Sequence, residues 1–543
     1  PPLIKTSVHT GDARYSAKAA QLVLDWVDKN PVTDSWHWRE GKTARHSPRG
    51  PWQSYLNIAS HLRTWAAHFE AFVPHWSPAE LLRVLKSIHD QCLYLVDIVP
   101  TARNNWSIIG CNALIQTAGR LPEMRMADKA LPFATKLIAE EAEAQILPDG
   151  VQFELTQSYH FTVMRLLQTA LACEKLPGVK LPASMRQTVD RMLDYVMQII
   201  LPCGHNVAFN DSDPETAEGK LNTLAHEGRQ RGRADWLYVG TRGAEGSPPK
   251  VTSQAFEHAG VYVMRTGWDR EDACLVFDGG TWGRAHQHED KLSFQFAALG
   301  RSMIVDPGRY LYDRNNPWSH DKYLALTQAH STIMVDNESQ ADWWFRDTWC
   351  PGPKLTDNVW LDNGDMQRVV ASHTLGYGKD GHVKVTHRRS VTFWQPDVVL
   401  VLDCVDGEGE HAIDSRLQFY PGDVVQSHDC WHTTWDDANL AVLPMMTSAF
   451  DVIVEKGMLD PTRGCYSPEV NKIEPSPSMK VHCESVLPLR GGFLLSPYRG
   501  TRPPEMAFEF DGDVVTVRVD ERRHQVAFAT AMAWRQHDAA PRE

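Results

Sequence analysis

The sequence predicts an α+β chain, helices first and a large antiparallel β-sandwich after them. Three observations carry that expectation. Apolar residues recur at three- and four-residue spacing through roughly the first 240 positions. A Gly-, Ser- and Pro-rich stretch, VGTRGAEGSPPKVTS, then interrupts the pattern. Beyond it the texture changes to short β-branched and aromatic runs closed by Gly, Pro, Asp or Asn. Helices and strands segregated in this way fit an α+β layout, not an interleaved α/β one. At 543 residues the chain is long enough for two or more folding units. The expected division is a helical domain over residues 1–240, a linker over 241–254 and a strand-rich domain over 255–543.

Helical spacing covers 17–30, 52–72, 79–98, 105–119, 124–146, 154–175 and 183–201. Ser77-Pro78 reads as an N-cap followed by a proline at the first helical position. Pro122 precedes another helix, and Pro148-Asp149-Gly150 reads as a turn. Helix pairs of this size with short links point to a helical toroid or solenoid, although no strict repeat is present. The strand-like runs include GVYVMRTG, ACLVFDGG, KLSFQFAALG, SMIVDPG, STIMVDN, SVTFWQPDVVLVLDCV, SRLQFYPG, GGFLLSPY and FEFDGDVVTVRV. Together they predict the sandwich.

Composition narrows the class. Charged residues are 23% and apolar ones 42%, which is ordinary for a globular chain and too rich in core-formers for disorder. The most apolar run, VVLVLDCV, is broken by Asp403, so no transmembrane helix is expected. The sequence opens at Pro1 without a basic-then-apolar leader, so a signal peptide is expected to have been removed or never present. The balance of 55 Lys+Arg against 68 Asp+Glu, net −13, argues against a nucleic-acid binder. The 10 cysteines form no CxxC pair, which excludes a zinc ribbon or a small disulfide scaffold and leaves one or two bridges open. Among the 19 tryptophans most belong in the core, but tryptophan faces are also the usual platforms for sugar rings.

Two constellations carry chemistry. In the run Trp282-Gly283-Arg284-Ala285-His286-Gln287-His288-Glu289-Asp290, a strand would project His286, His288 and Asp290 from one face. Asp306 follows in VDPGRYLY and His330 in TQAHSTIMVD; two imidazoles and a carboxylate suit zinc, with one position open. The plainer alternative is hydrogen-bonded polar residues at strand ends. In the helical half, Arg103-Asn104-Asn105-Trp106 opens a helix, where amides are commonly caps. Glu154 and Tyr159-His160 follow, with Tyr159 a turn and a bit beyond Glu154 if 154–175 is helical.

Taken together, TARNNWSIIG, PDGVQFELTQSYHF, AHQHEDKLSFQFAALGRSMIVDPGRYLY, AHSTIMVDN and HRRSVTFWQPDVVLVLD resemble the heparinase II/III-type polysaccharide lyases, a group that includes heparan-sulfate and oligoalginate lyases. The resemblance spans about residues 100–405 in the family's order. It implies an incomplete (α/α) toroid followed by an antiparallel sandwich, with a cleft between them. It also implies β-elimination at an acidic sugar, giving a 4,5-unsaturated uronate. Abstracting the C5 proton requires the neighbouring carboxylate to be neutralised. Asn105 matches the residue that does this, helped by His286. Tyr159 matches the catalytic tyrosine, whose phenol, ordinarily near pKa ~10, needs nearby cations to act as a base. Arg103, His160 and His286 are candidates for that field. His288, Asp306 and His330 match the ligands of a structural zinc; no organic cofactor is implied.

Several of the family's lyases carry a histidine after the asparagine, where this chain has Trp106. That departure favours syn elimination at glucuronate or mannuronate, where one tyrosine serves as both base and acid. Further candidate substrate contacts are Trp106, His205, Arg309, Tyr310 and Trp343, with Asn210-Asp211 also near the expected cleft. The expected partner is an anionic uronate-containing polysaccharide or oligosaccharide, with neither nucleic acid nor membrane. Action is expected in the periplasm or outside the cell, or in the cytoplasm on imported oligosaccharides. Two alternatives compete: a metal-dependent carbohydrate hydrolase built on H-x-H-x-D, and a non-catalytic polysaccharide-binding protein on the same fold. Against the first, Lys291 stands where such hydrolases usually add a histidine.

Overall fold

A computed structural model describes residues 2–30, 55–214, 216–311, 320–341 and 352–532. Helices dominate up to Ala234–Gly240, and the first strand is Gln254–Phe256. All strand pairs are antiparallel, including those of the eight-stranded sheet and the five-stranded one. By packing, the described chain forms two compact units, 1–150 with 162–192, and 151–161 with 193–543.

The first unit is a set of paired helices. Pro78–Ile98 begins as its sequence requires: Ser77 and Glu80 form a reciprocal capping box, and Pro78 occupies a position whose N–H would be unpaired anyway. Asn105–Arg120 is the most buried helix of this unit, with Ile108, Cys111, Leu114, Ile115 and Ala118 all at or near zero exposure. A helix buried on most sides is a central one, even though Ser107, Asn112, Gln116 and Thr117 are polar.

In the second unit, a five-stranded sheet (254–304), a four-stranded sheet and the eight-stranded sheet share one core, in which Phe277, Phe296, Phe393, Leu417 and Phe493 interlock. Strand Val398–Asp406 explains the run VVLVLDCV. Its Val399 and Val401 enter that core, whereas Val398, Leu400 and Leu402 pack on a second cluster with Val515 and Val517 of the three-stranded sheet and Phe528 of the helical turn after it. A strand covered on both faces has no polar alternation to show. The break at Asp403 is a buried ion pair, with Arg389 bound through Nε and Nη2 at 2.7 and 3.0 Å and His387 Nε2 2.7 Å away. The same guanidinium donates to the carbonyls of Leu292 and Ser331, fastening the loop connection after residue 290 to the eight-stranded sheet. The nine cysteines among the described residues are free.

Candidate active site

Two short segments of the second unit build the site. The helix that carries Tyr159 begins at Gln157, later than the spacing suggested. Glu154 therefore lies in the turn before it, beside Leu155, which adopts a left-handed backbone (φ 53°). The other segment, 281–291, links strands Cys274–Asp278 and Phe294–Ala298 and is a loop, not the expected strand. His286 has φ 59°, a conformation that breaks the alternation of an extended chain. His286, His288 and Asp290 consequently point to three different partners.

His286 stacks on the Tyr159 ring, centroids 3.8 Å apart and planes 15° from parallel. Its Nδ1 lies 2.7 Å from Glu154 Oε2. Glu154 is fully buried, and its Oε1 has no hydrogen-bond partner among the described residues. The loop is clamped to this turn by Gln287 Nε2 donating to Glu154 O (2.6 Å) and Arg284 N to Phe153 O (3.0 Å). Gly283 is required here, since a Cβ at that position would lie 2.7 Å from Glu154 O.

His288, Asp306 and His330 converge as expected, all buried, with one candidate ligand atom from each within 4.8 Å of the others. His330 Nδ1 is 3.1 Å from Asp306 Oδ2. His288 Nε2 is held 3.0 Å from Asp211 Oδ1, while its Nδ1 is buried without a hydrogen-bond partner among the described residues. An orphaned buried imidazole nitrogen is costly, and a carboxylate on the opposite ring nitrogen is the usual support of a metal-ligating histidine. The donor set thus fits a zinc ion. Asp290 is not part of it: the carboxylate pairs with Lys291 Nζ at 3.3 Å, which also contacts Asp278 at 2.5 Å, all three groups buried. Burial opposes ionisation of Asp290, but Lys291 and the neighbouring histidines outweigh it and hold its pKa below the ordinary value.

The remaining candidates take partners of their own. Asn105 is the first residue of its helix and belongs to the other unit; Asn104, not Asn105, caps it, accepting from Trp106 N at 3.0 Å. The Asn105 side chain is 2% exposed and its Oδ1 has no hydrogen-bond partner among the described residues. Arg103, in a left-handed conformation, pairs with Glu141 at 2.9 Å, and Trp106 is 39% exposed with its ring edge-on to Tyr55. His160 is buried and its Nδ1 accepts from Gln152 N, so it braces the turn that carries Glu154. Arg309 forms a two-point ion pair with Asp213, and Tyr310 packs beside Tyr323 and Leu324. His205 lies in a separate pocket with Ser302 and Tyr420. Trp343 lies outside the described residues. Asn210 and Asp211 hold the loop: Asn210 accepts from His288 N and donates to Leu155 O, and Asp211 N donates to His286 O. The role of Glu154 escaped sequence reading because its partner is 132 residues away.

Family models match nearly end to end, "Heparinase II/III N-terminus" over residues 2–228 and "Heparinase II/III-like, C-terminal" over 248–509. The chain belongs to the heparinase II/III family. A heparin-sulfate lyase of Pedobacter heparinus is 24% identical over 410 residues, 74% of this chain and 57% of that protein. One from Bacteroides stercoris is 21% identical over 79% of this chain and 64% of its own length. The chain therefore spans about three-fifths of these curated relatives. A heparinase III crystal structure superimposes with a TM-score of 0.81 at 19% identity, covering 97% of this chain and 81% of that one. The fold is accordingly that of the heparinases, helices followed by an antiparallel sandwich.

Proposed function

We propose that this protein is a polysaccharide lyase that cleaves a uronate-containing anionic glycan by β-elimination. The observation that carries the reading is the Tyr159–His286 stack with His286 held by the buried Glu154. A binding protein has no need of a phenol fixed against an imidazole whose other side is tied to a buried carboxylate. Membership of the heparinase II/III family supports the same class.

In this reading the Tyr159 phenolate takes the proton from C5 of the uronate. The C5–H electrons form the C4=C5 double bond as the C4–O4 bond breaks, and the tyrosine proton passes to the departing O4. The imidazole against the Tyr159 ring stabilises negative charge on the phenol oxygen and on the developing enolate. Asn105 is assigned to the uronate carboxylate. The match of Asn105 to the asparagine that neutralises the substrate carboxylate in the family supports that assignment. Trp106 stands where a histidine would supply a second acid or base, which favours syn elimination at glucuronate or mannuronate. His288, Asp306 and His330 would hold zinc, which when bound supplies a structural clamp on the loop that presents His286.

Cleavage in ¹⁸O-labelled water tests the reaction class. Elimination leaves the new ends unlabelled and gives a near-ultraviolet-absorbing product; incorporation of label without that absorbance would establish a hydrolase instead. A matched pair of glucuronate and iduronate polymers tests the stereochemistry. Preference for glucuronate is expected, and preference for iduronate would overturn the single-tyrosine mechanism.

A further inference from the structure

The strand-rich unit contains a second polar pocket of about 230 Å³, lined among others by Cys203, His205, Arg270, Arg301, Ser302 and Tyr420 and by none of Tyr159, His160 or His286. Two arginines, Arg270 and Arg301, line it. Arg309, Arg389 and Arg416 all bind carboxylates. Among the described residues, Arg270 and Arg301 have no ion pair. Arg301 is steadied by an aromatic face: its guanidinium carbon lies 5.1 Å from the Trp435 ring centroid. Trp435 is itself fixed, Nε1 donating to Pro421 O (3.0 Å) and N to Asn439 Oδ1 (2.7 Å). A guanidinium positioned by stacking keeps its N–H fork free for an oxyanion. Asp437 at the rim and Glu271 beside the lining residue Gly300 are both bound by Arg499.

The neutral groups fit the same ligand. His205 Nδ1 and Cys203 Sγ both meet the Ser302 hydroxyl, at 3.0 and 3.3 Å. Burial and the Arg270 charge lower the His205 pKa, so the imidazole is neutral near pH 7 and the positive charge of the pocket rests on the arginines. Burial raises the Tyr420 pKa, keeping its phenol a donor. Tyr420 and Trp435 pack edge-on with ring centroids 6.5 Å apart, giving aromatic surface beside the cations.

We infer that this pocket binds the sulfo or carboxylate group of an acidic saccharide, as a subsite separate from the Tyr159–His286 stack. The oxyanion preference follows from the arginines alone; the saccharide rests on the function proposed above and on a volume larger than a free oxyanion needs.

Calorimetric titration of the Tyr159→Phe protein, whose turnover should be at least about 100-fold slower, tests this with a sulfated uronate disaccharide, its desulfated counterpart and inorganic sulfate as probes. The sulfated disaccharide is expected to show a binding event that R301A and R270A each weaken about tenfold or more, the loss of a charge-assisted hydrogen bond. R301K should recover only part of it, since it restores charge without the planar stack, and it guards against misfolding as the explanation. Unchanged affinity in both alanine variants would overturn the site. Inorganic sulfate binding as tightly as the disaccharide would overturn the saccharide assignment. Because the readout is binding, a failed lyase assay alongside an intact arginine-dependent event would count against the proposed reaction and not against the pocket.

Discussion

Glu154 is the residue whose role in the site is most open to test. Its carboxylate is fully buried, bonded to one histidine nitrogen and otherwise unsatisfied at Oε1 among the described residues. Such a group is expensive to bury, and its retention fits the job of fixing how His286 faces Tyr159. Glu154→Ala should lower kcat by about 100-fold with little change in KM, and Glu154→Gln, which keeps an acceptor but not the charge, by about 10-fold. Steady-state kinetics check this; equal and small losses in both would reduce Glu154 to a packing role. A second titratable residue shapes stability. Burial lowers the His373 pKa to about 4, against the opposing hydrogen bond from its Nε2 to Gly376 O. Because the folded value lies below the ordinary 6.5, the folded state keeps this imidazole neutral while the unfolded chain protonates. Stability is therefore full above about pH 6.5 and declines as pH falls toward 4, by roughly 2 kcal/mol between about pH 7 and pH 5. Denaturant titrations should show that slope, and His373→Phe should flatten it.

Among the elements, structure was most legible in the sequence where burial alone decides it. The N-cap at Ser77, the helix from Asn105 and the strand Val398–Asp406 are all anticipated from local pattern. The loop 281–291 could not. Its alternating His-x-His-x-Asp spelling mimics a strand, but the left-handed turn at His286 and the close approach at Gly283 are set by contacts with residues 153–155 and 210–211, far away in sequence. Gly283→Ala should displace this loop, lowering activity about tenfold or more while moving the melting temperature little, since it disturbs loop geometry and no core packing. Asp403→Asn should do the reverse. It strips the charge facing a fully buried Arg389 and is expected to cost about 3–5 kcal/mol of stability. Chemical denaturation compares the two.

Over the whole molecule, the order of helices then strands and the family resemblance were both readable from sequence, the latter because AHQHED, VDPG and AHST keep their order over a long span. How the chain divides by packing was not. Residues 151–161 and 193–240 lie with the strands, tied by links such as Arg265 Nη2 to the carbonyls of Gln198 and Ile200, which no local pattern announces. The proposed zinc belongs to this scale, since its candidate ligands lie 18 and 24 residues apart in sequence. Chelation followed by dialysis should lower the melting temperature by about 5 °C or more and reduce activity, both restored by zinc. A chelated protein with unchanged melting and no bound metal by elemental analysis would rule the ion out.

Whether Tyr159 drives an elimination is decided by near-ultraviolet absorbance during incubation with a panel of heparan sulfate, chondroitin, hyaluronan, alginate and glucuronan, run in parallel with Tyr159→Phe. Absorbance should rise on at least one glucuronate- or mannuronate-containing polymer, and the rate should fall by at least about 100-fold in the variant. A rise that survives Tyr159→Phe unchanged would contradict the assignment of the tyrosine as base and acid.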